Sequence, residues 1–139
     1  MNDRQSRRRR AAIRALDHGF VAAKRERVFE VLGDPTGYAG WWPGTRSLGD
    51  GRLRIPGLPP AVVAADRVRP GTGLVVRISE RRPRGIEGHL EWYLETFEEG
   101  TVVSCIADLR APRPWRPRRV LRLRSGVRSA MVALKGMLE

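Results

Sequence analysis

The sequence predicts an α+β domain in which a curved antiparallel sheet of about six or seven strands is closed by a long C-terminal helix, with two short helices after the first strand. Three observations predict it. Turn signals recur at short intervals between residues 49 and 100, apolar and polar side chains alternate through residues 86–95, and the hydrophobic period lengthens to three or four residues from Val120 onward.

Taken in chain order, residues 1–17 read as a polar, arginine-rich arm, with a short helical turn near residues 11–16 and the poor order common at termini. The domain proper then spans residues 18–139. Gly19-Phe20-Val21-Ala22-Ala23 is a strand-like apolar run that leads into a helix over residues 24–32, where Val28, Phe29, Val31 and Leu32 share one face. Pro35 disfavours helical geometry in the residue before it and suits the first position of a new helix. Asp34 is therefore expected to cap a second short helix over residues 35–42, stopped by Pro43-Gly44.

Gly49-Asp50-Gly51, Pro56-Gly57, Pro70-Gly71-Thr72-Gly73, Arg82-Pro83-Arg84-Gly85 and Glu98-Glu99-Gly100 then punctuate runs rich in valine, isoleucine and leucine. Such short connections require antiparallel neighbours, because a parallel crossover needs a dozen or more residues. Leu74, Val76 and Ile78 alternate with Val75, Arg77 and Ser79. Ile86, Gly88, Leu90, Trp92 and Leu94 alternate with Glu87, His89, Glu91, Tyr93 and Glu95, which gives one apolar and one wet face. In the last segment Val120, Leu123, Val127, Ala130, Met131, Leu134 and Leu138 form the stripe of an amphipathic helix, while Arg118, Arg119, Arg122 and Lys135 lie off it as a basic surface.

The chain has 139 residues and a formal charge of +12, and the excess is confined to its ends. Residues 18–109 hold twelve basic and twelve acidic side chains, so the body is neutral and the appendages are basic. Arginine supplies 25 of the 27 basic residues, which suits phosphate recognition and equally follows from GC-rich codon usage. The aromatic residues do not interleave with the arginines as a base-stacking platform requires, so nucleic acid is a poor partner. An anionic membrane surface remains open. Cys105 is the single cysteine, so an internal disulfide and a multi-cysteine metal site are excluded. No apolar run approaches the ~18 residues of a membrane span, and the arginine-rich start lacks the apolar stretch of a signal peptide. A cytoplasmic protein, peripheral at the membrane if its basic ends engage lipid, is the expectation.

The order of strand, helix pair, meander and final helix resembles the helix-grip fold of the polyketide cyclase and lipid-transport superfamily, also called START-like or Bet v 1-like. The residues that carry the resemblance run from His18 to Pro35 and continue with Tyr38 and Trp41-Trp42-Pro43-Gly44. Further on come Arg84-Gly85-Ile86-Glu87-Gly88, Trp92-Tyr93-Leu94-Glu95, Gly100-Thr101-Val102-Val103 and the arginine-rich last helix. The resemblance implies a cavity between sheet and last helix for a lipid, a polyketide or another apolar molecule. It carries no shared catalytic signature, so it transfers no catalytic residue, metal or cofactor. Gly88 to Trp92 runs on without the turn and added strand segment usual in the family, which implies a shortened sheet and a smaller or more open cavity.

Combined with strand parity and the helix stripe, this places Phe29, Trp42, Val76, Ile78, Leu90, Trp92, Leu94, Val127, Met131 and Leu134 around a hydrophobic ligand. Trp115 stands before the last helix as a further ligand contact or an end plug. A cyclase or aromatase is the enzymatic alternative, but the inward face offers almost no proton-moving group. His89 shares its face with Glu87 and Glu91 and reads as a member of an ion-pairing row. His18 is read as structural and Cys105 as a small buried hydrophobe. Ser104, His89 and Asp108 form a triad only on paper, because no nucleophile elbow surrounds the serine.

Overall fold

A computed structural model describes residues 10–82, 85–112 and 117–139. The elements are β1 (Arg10–Val21), α1 (Arg25–Leu32), a 3-10 helix (Pro35–Gly40), β2 (Arg46–Gly49), β3 (Arg52–Arg54), β4 (Ala61–Arg69), β5 (Gly73–Ser79), β6 (Glu87–Phe97), β7 (Gly100–Pro112) and α2 (Pro117–Leu138). The strands form one seven-stranded sheet in the order β1-β7-β6-β5-β4-β3-β2, with every neighbour pair antiparallel.

Strand parity decides which side chains enter the core. Leu74, Val76 and Ile78 of β5, Leu90, Trp92 and Leu94 of β6, and Val103, Cys105, Ala107 and Leu109 of β7 all point inward and are buried. Against them lie Leu123, Val127, Ala130, Met131 and Leu134, the stripe of α2. Sheet and helix thus bury their apolar faces in one contiguous core, to which α1 adds Val28 and Leu32.

β1 lies at an edge of the sheet, where unpaired backbone groups invite another chain. Helix α2 runs beside it and occupies one of those groups, and a second contact joins the residues just beyond the two elements. Arg124 Nε donates to the Arg14 carbonyl at 3.4 Å, and the Ala22 amide donates to Glu139 Oε1 at 3.0 Å. At the other end of α2 the loop after β3 is welded to the helix. Gly57 has φ +87°, and a Cβ there would lie 2.8 Å from both the Arg119 carbonyl oxygen and the Leu123 Cα. Only glycine combines that dihedral with that approach.

Three expectations are corrected. The first strand begins at Arg10 and not at Gly19, and Arg10 to Val21 pairs residue by residue with β7. Residues 10–17 are therefore sheet rather than arm, because pairing with a long neighbour overrides weak local propensity. Residues 1–9 and Trp115 lie outside the described residues. The second helix is a 3-10 turn that ends at Gly40, short of Trp42. Asp34 does not cap it, since its side chain accepts from the Thr36 hydroxyl at 2.9 Å and from no helix amide. β6 runs unbroken through Gly88 to Trp92, as its sequence predicts, and over its 11 residues it pairs with β5 and β7.

Candidate functional site: an aromatic cluster beneath the sheet

The turn from α1 into the 3-10 helix sets three aromatic side chains under the sheet. Pro35 starts that helix, and Tyr38, Trp41 and Trp42 follow at spacings of three and four, which brings them to one side of a single turn. Trp92 meets them from the inward face of β6. The four rings are in mutual contact, with centroids from 5.3 Å apart for Tyr38 and Trp41 to 6.4 Å for Trp41 and Trp92. Tyr38 stands edge-on to Trp92 at 80°, and Trp42 does so at 81°, the arrangement that ring quadrupoles favour.

The polar tips of this cluster are unequally satisfied. Tyr38 Oη donates to the Leu32 carbonyl at 2.6 Å, so its hydroxyl is anchored to the end of α1. Burial pushes its pKa well above the ordinary tyrosine value, with the Trp92 indole tempering the shift from nearby. The indole Nε1 atoms of Trp41, Trp42 and Trp92 are buried, and none has a hydrogen-bond partner among the described residues; Thr45 Oγ1 is in the same position. A ring buries ~150–250 Å², worth ~4–6 kcal/mol at the usual area coefficient, against ~1–3 kcal/mol for an unpaired donor. Burial wins. The cluster holds, with three buried indole nitrogens that have no hydrogen-bond partner by geometry among the described residues.

Of the residues expected to line a cavity, Trp42, Val76, Ile78, Leu90, Trp92, Leu94, Val127, Met131 and Leu134 are all buried in the one core, and Phe29 is half-buried against it. They converge on a common interior. Clefts that reach solvent are found elsewhere: about 400 Å³ at the loop after β3, about 350 Å³ on the outer face of the sheet, and about 210 Å³ between β1 and α2. Met131 is the one member of the ten that lines any of these three. Arg118, Arg119, Arg122 and Lys135 are exposed on α2.

Tyr38 and Trp41 belong to the cluster and were absent from the set chosen by strand parity. The spacing of residues 38, 41 and 42 carried the signal. The other polar candidates stay apart from the interior. His89 Nε2 lies 3.9 Å from Asp66 Oδ2 on the outer face, where Arg14 also meets Asp108 at 3.6 Å. Ser104 sits opposite Tyr93 and His18, while His89 sits opposite Asp108, so no triad assembles. Burial pushes the Cys105 thiol far up, with Asp17 adding to the shift, which removes its nucleophilic form near neutrality. Among the described residues no three metal-ligating side chains gather, and no helix is long and apolar enough to cross a membrane.

A curled seven-stranded antiparallel sheet around a long C-terminal helix, with a helix pair after the first strand, decides the architecture. The chain has the START-like helix-grip fold. Among solved structures it is similar to the Zhui aromatase/cyclase from a Streptomyces species, at 22% identity and a TM-score of 0.67, over 92% of this chain and 94% of that one. A START superfamily protein from Mycobacterium smegmatis shares the fold at 15% identity and a TM-score of 0.64, over 91% and 97% of the two chains. DynU16, from the dynemicin biosynthetic locus, matches at 21% identity and a TM-score of 0.62 over 90% of this chain, which spans only 46% of that protein. No protein-family model and no curated protein matches the sequence. In the helix-grip fold the inward faces of sheet and helix enclose the interior where the four aromatic rings meet.

Proposed function

We propose that this protein binds an apolar small molecule, lipid or polyketide-like, in the interior between the sheet and α2. The observation that supports this reading most is the set of unpartnered indole donors on Trp41, Trp42 and Trp92 inside an otherwise apolar core. A plain hydrophobic core gains nothing from donors without acceptors, whereas a ligand that offers carbonyl or phenolic oxygens to a greasy pocket would satisfy them. The ligand reaches that interior by a movement of α2, which Arg124 ties to β1 and which Glu139, just past the helix, ties to Ala22.

Binding is favoured over catalysis by the inner face itself. Its ionisable groups, Tyr38 and Cys105, are both pushed upward by burial and stay neutral near pH 7. A cyclase or aromatase activity would need a group able to move a proton there. Carriage of the ligand in the cytoplasm is the role that follows.

One observation favours an accessory reading. Leu121, Val132 and Met137 are exposed on α2 among Arg118, Arg122, Arg128 and Lys135, a composition suited to resting on an anionic membrane while cargo is exchanged. Sedimentation with liposomes, with and without anionic lipid and at two salt concentrations, reads this directly.

The ligand itself is tested by tryptophan emission. Titration of the full chain with 1-naphthol, and separately with palmitate, is expected to give saturable quenching for at least one of them. Trp92→Phe, which removes one donor, should weaken that binding about tenfold, the equivalent of one lost hydrogen bond. Native mass spectrometry of protein from its own host should show a co-purifying apolar molecule. Failure of both titrations together with a bare protein in the mass spectrum would refute the carrier reading.

A further inference from the structure

Three arginines converge on the cleft at the loop after β3. Its floor is Ile55 and Leu58, both buried in the core, and its rim carries Arg54 from the end of β3 together with Arg119 and Arg122 from the first turns of α2. Arg119 and Arg122 are three apart and so face the same way on the helix. Their position relative to Arg54 is set by close packing of the loop on the helix. The Gly57 backbone rests against the Arg119 carbonyl, and Pro56 lies so close to Gly126 that a Cβ on that glycine would be 3.2 Å from the Pro56 Cβ. Pro56, Pro59 and Pro60 form walls without backbone donors and with little freedom to collapse.

The charge balance distinguishes this cleft from the groove on the outer face. That groove is lined by Asp66, Glu87 and Asp108 as well as Arg77, His89 and Arg110, so its charges compensate one another. The cleft has no carboxylate in its lining, and neither Arg54 nor Arg122 makes an ion pair among the described residues. Arg54 and Arg122 thus line one cleft whose lining holds no carboxylate, and the basic excess of the C-terminal segment raises the local potential further. Planar guanidinium forks match the oxygens of a phosphate group two at a time, which a carboxylate-free cleft leaves available.

We propose that this cleft is a phosphate-binding site, taking the phosphate group of a soluble monoester or of a lipid headgroup, and that it is separate from the aromatic interior. None of the four clustered aromatic residues lines it.

The test uses the full chain at physiological ionic strength. Calorimetric titration with glycerol phosphate is expected to show saturable binding, and vesicles of phosphatidylcholine with phosphatidic acid form the second arm. Arg54→Gln and Arg122→Gln should each weaken binding about tenfold or more, as loss of a charge-assisted hydrogen bond does. Arg27→Gln makes the same change in net charge on α1, outside the cleft, and should alter glycerol phosphate affinity by less than about twofold. Saturation by glycerol phosphate identifies a soluble ligand, and binding to vesicles alone that depends on Arg54 identifies a headgroup; either supports the site. An Arg27→Gln loss as large as that of Arg122→Gln in the arm that binds would reveal general attraction and overturn the proposal, as would no binding in either arm.

Discussion

On strands β5, β6 and β7 one face carries Leu74, Val76, Ile78, Leu90, Trp92, Leu94, Val103, Cys105 and Ala107, and the other carries Arg77, His89, Glu91, Tyr93, Ser104 and Asp108. The same backbone ladder supports both, yet different physics governs them. On the inner face each side chain gives up water, so area and shape dominate and an unpaired donor is a measurable cost. On the outer face ions meet across strands in water, where His89 and Asp66 stand 3.9 Å apart with 44% of each side chain exposed, and little energy changes hands. The site where chemistry is most visible to the eye is thus the one that matters least to the fold.

The sharpest break in this contrast is expected at Trp92. Trp92→Ala should cost ~3–5 kcal/mol in urea denaturation, the range for removing a large buried ring. Trp92→Phe should cost less than ~2 kcal/mol, because deleting an unpaired donor returns part of what the smaller ring loses. Equal losses in the two variants would mean that the indole N–H is already satisfied.

A second, intermediate effect is expected from pH. The folded-state pKa values of Cys105 and Tyr38 are raised, so the stability they contribute is fully present below their ordinary values of 9.0 and 10.0 and drains as pH rises beyond them. Each group should add a slope of about 1.4 kcal/mol per pH unit. Cys105→Ala should flatten the decline between roughly pH 9 and 10. A native Cys105 that reacts quickly with a thiol reagent at pH 8 would contradict its burial.

The smallest effects belong to the outer face. His89→Ala and Asp66→Asn should each shift stability by less than ~0.5 kcal/mol and leave ligand affinity unchanged. A large loss in either would move the outer groove from solvated surface to functional site.

Much of this arrangement was legible in the residues. The alternation in β6 and the stripe of α2 are undiluted, since Leu90, Trp92 and Leu94 are all large and Leu123, Val127 and Leu134 keep helical spacing. β1 was harder to read. Residues 10–17 place alanines on both faces, and Leu16, as large as the buried Ile13 on the opposite face, is 68% exposed, so the period-two signal is blurred. That segment becomes a strand because β7 offers each of its eight residues a partner in register. Trp92 could be assigned to the interior by parity, whereas Tyr38 and Trp41 required knowing how the 3-10 turn is aimed.

Composition, periodicity and turn chemistry by themselves determined the class of fold, the inward parity of β5 and β6, the polar character of their outer faces and the absence of a disulfide. These are local properties, written within a few residues of one another. The meeting of Trp92 with the rings on residues 38–42, and of Arg54 with Arg119 and Arg122, was decided only by the tertiary structure. Each joins segments some fifty to seventy residues apart, and the close approach that brings them together depends on sheet curl and on where a glycine lets two backbones touch.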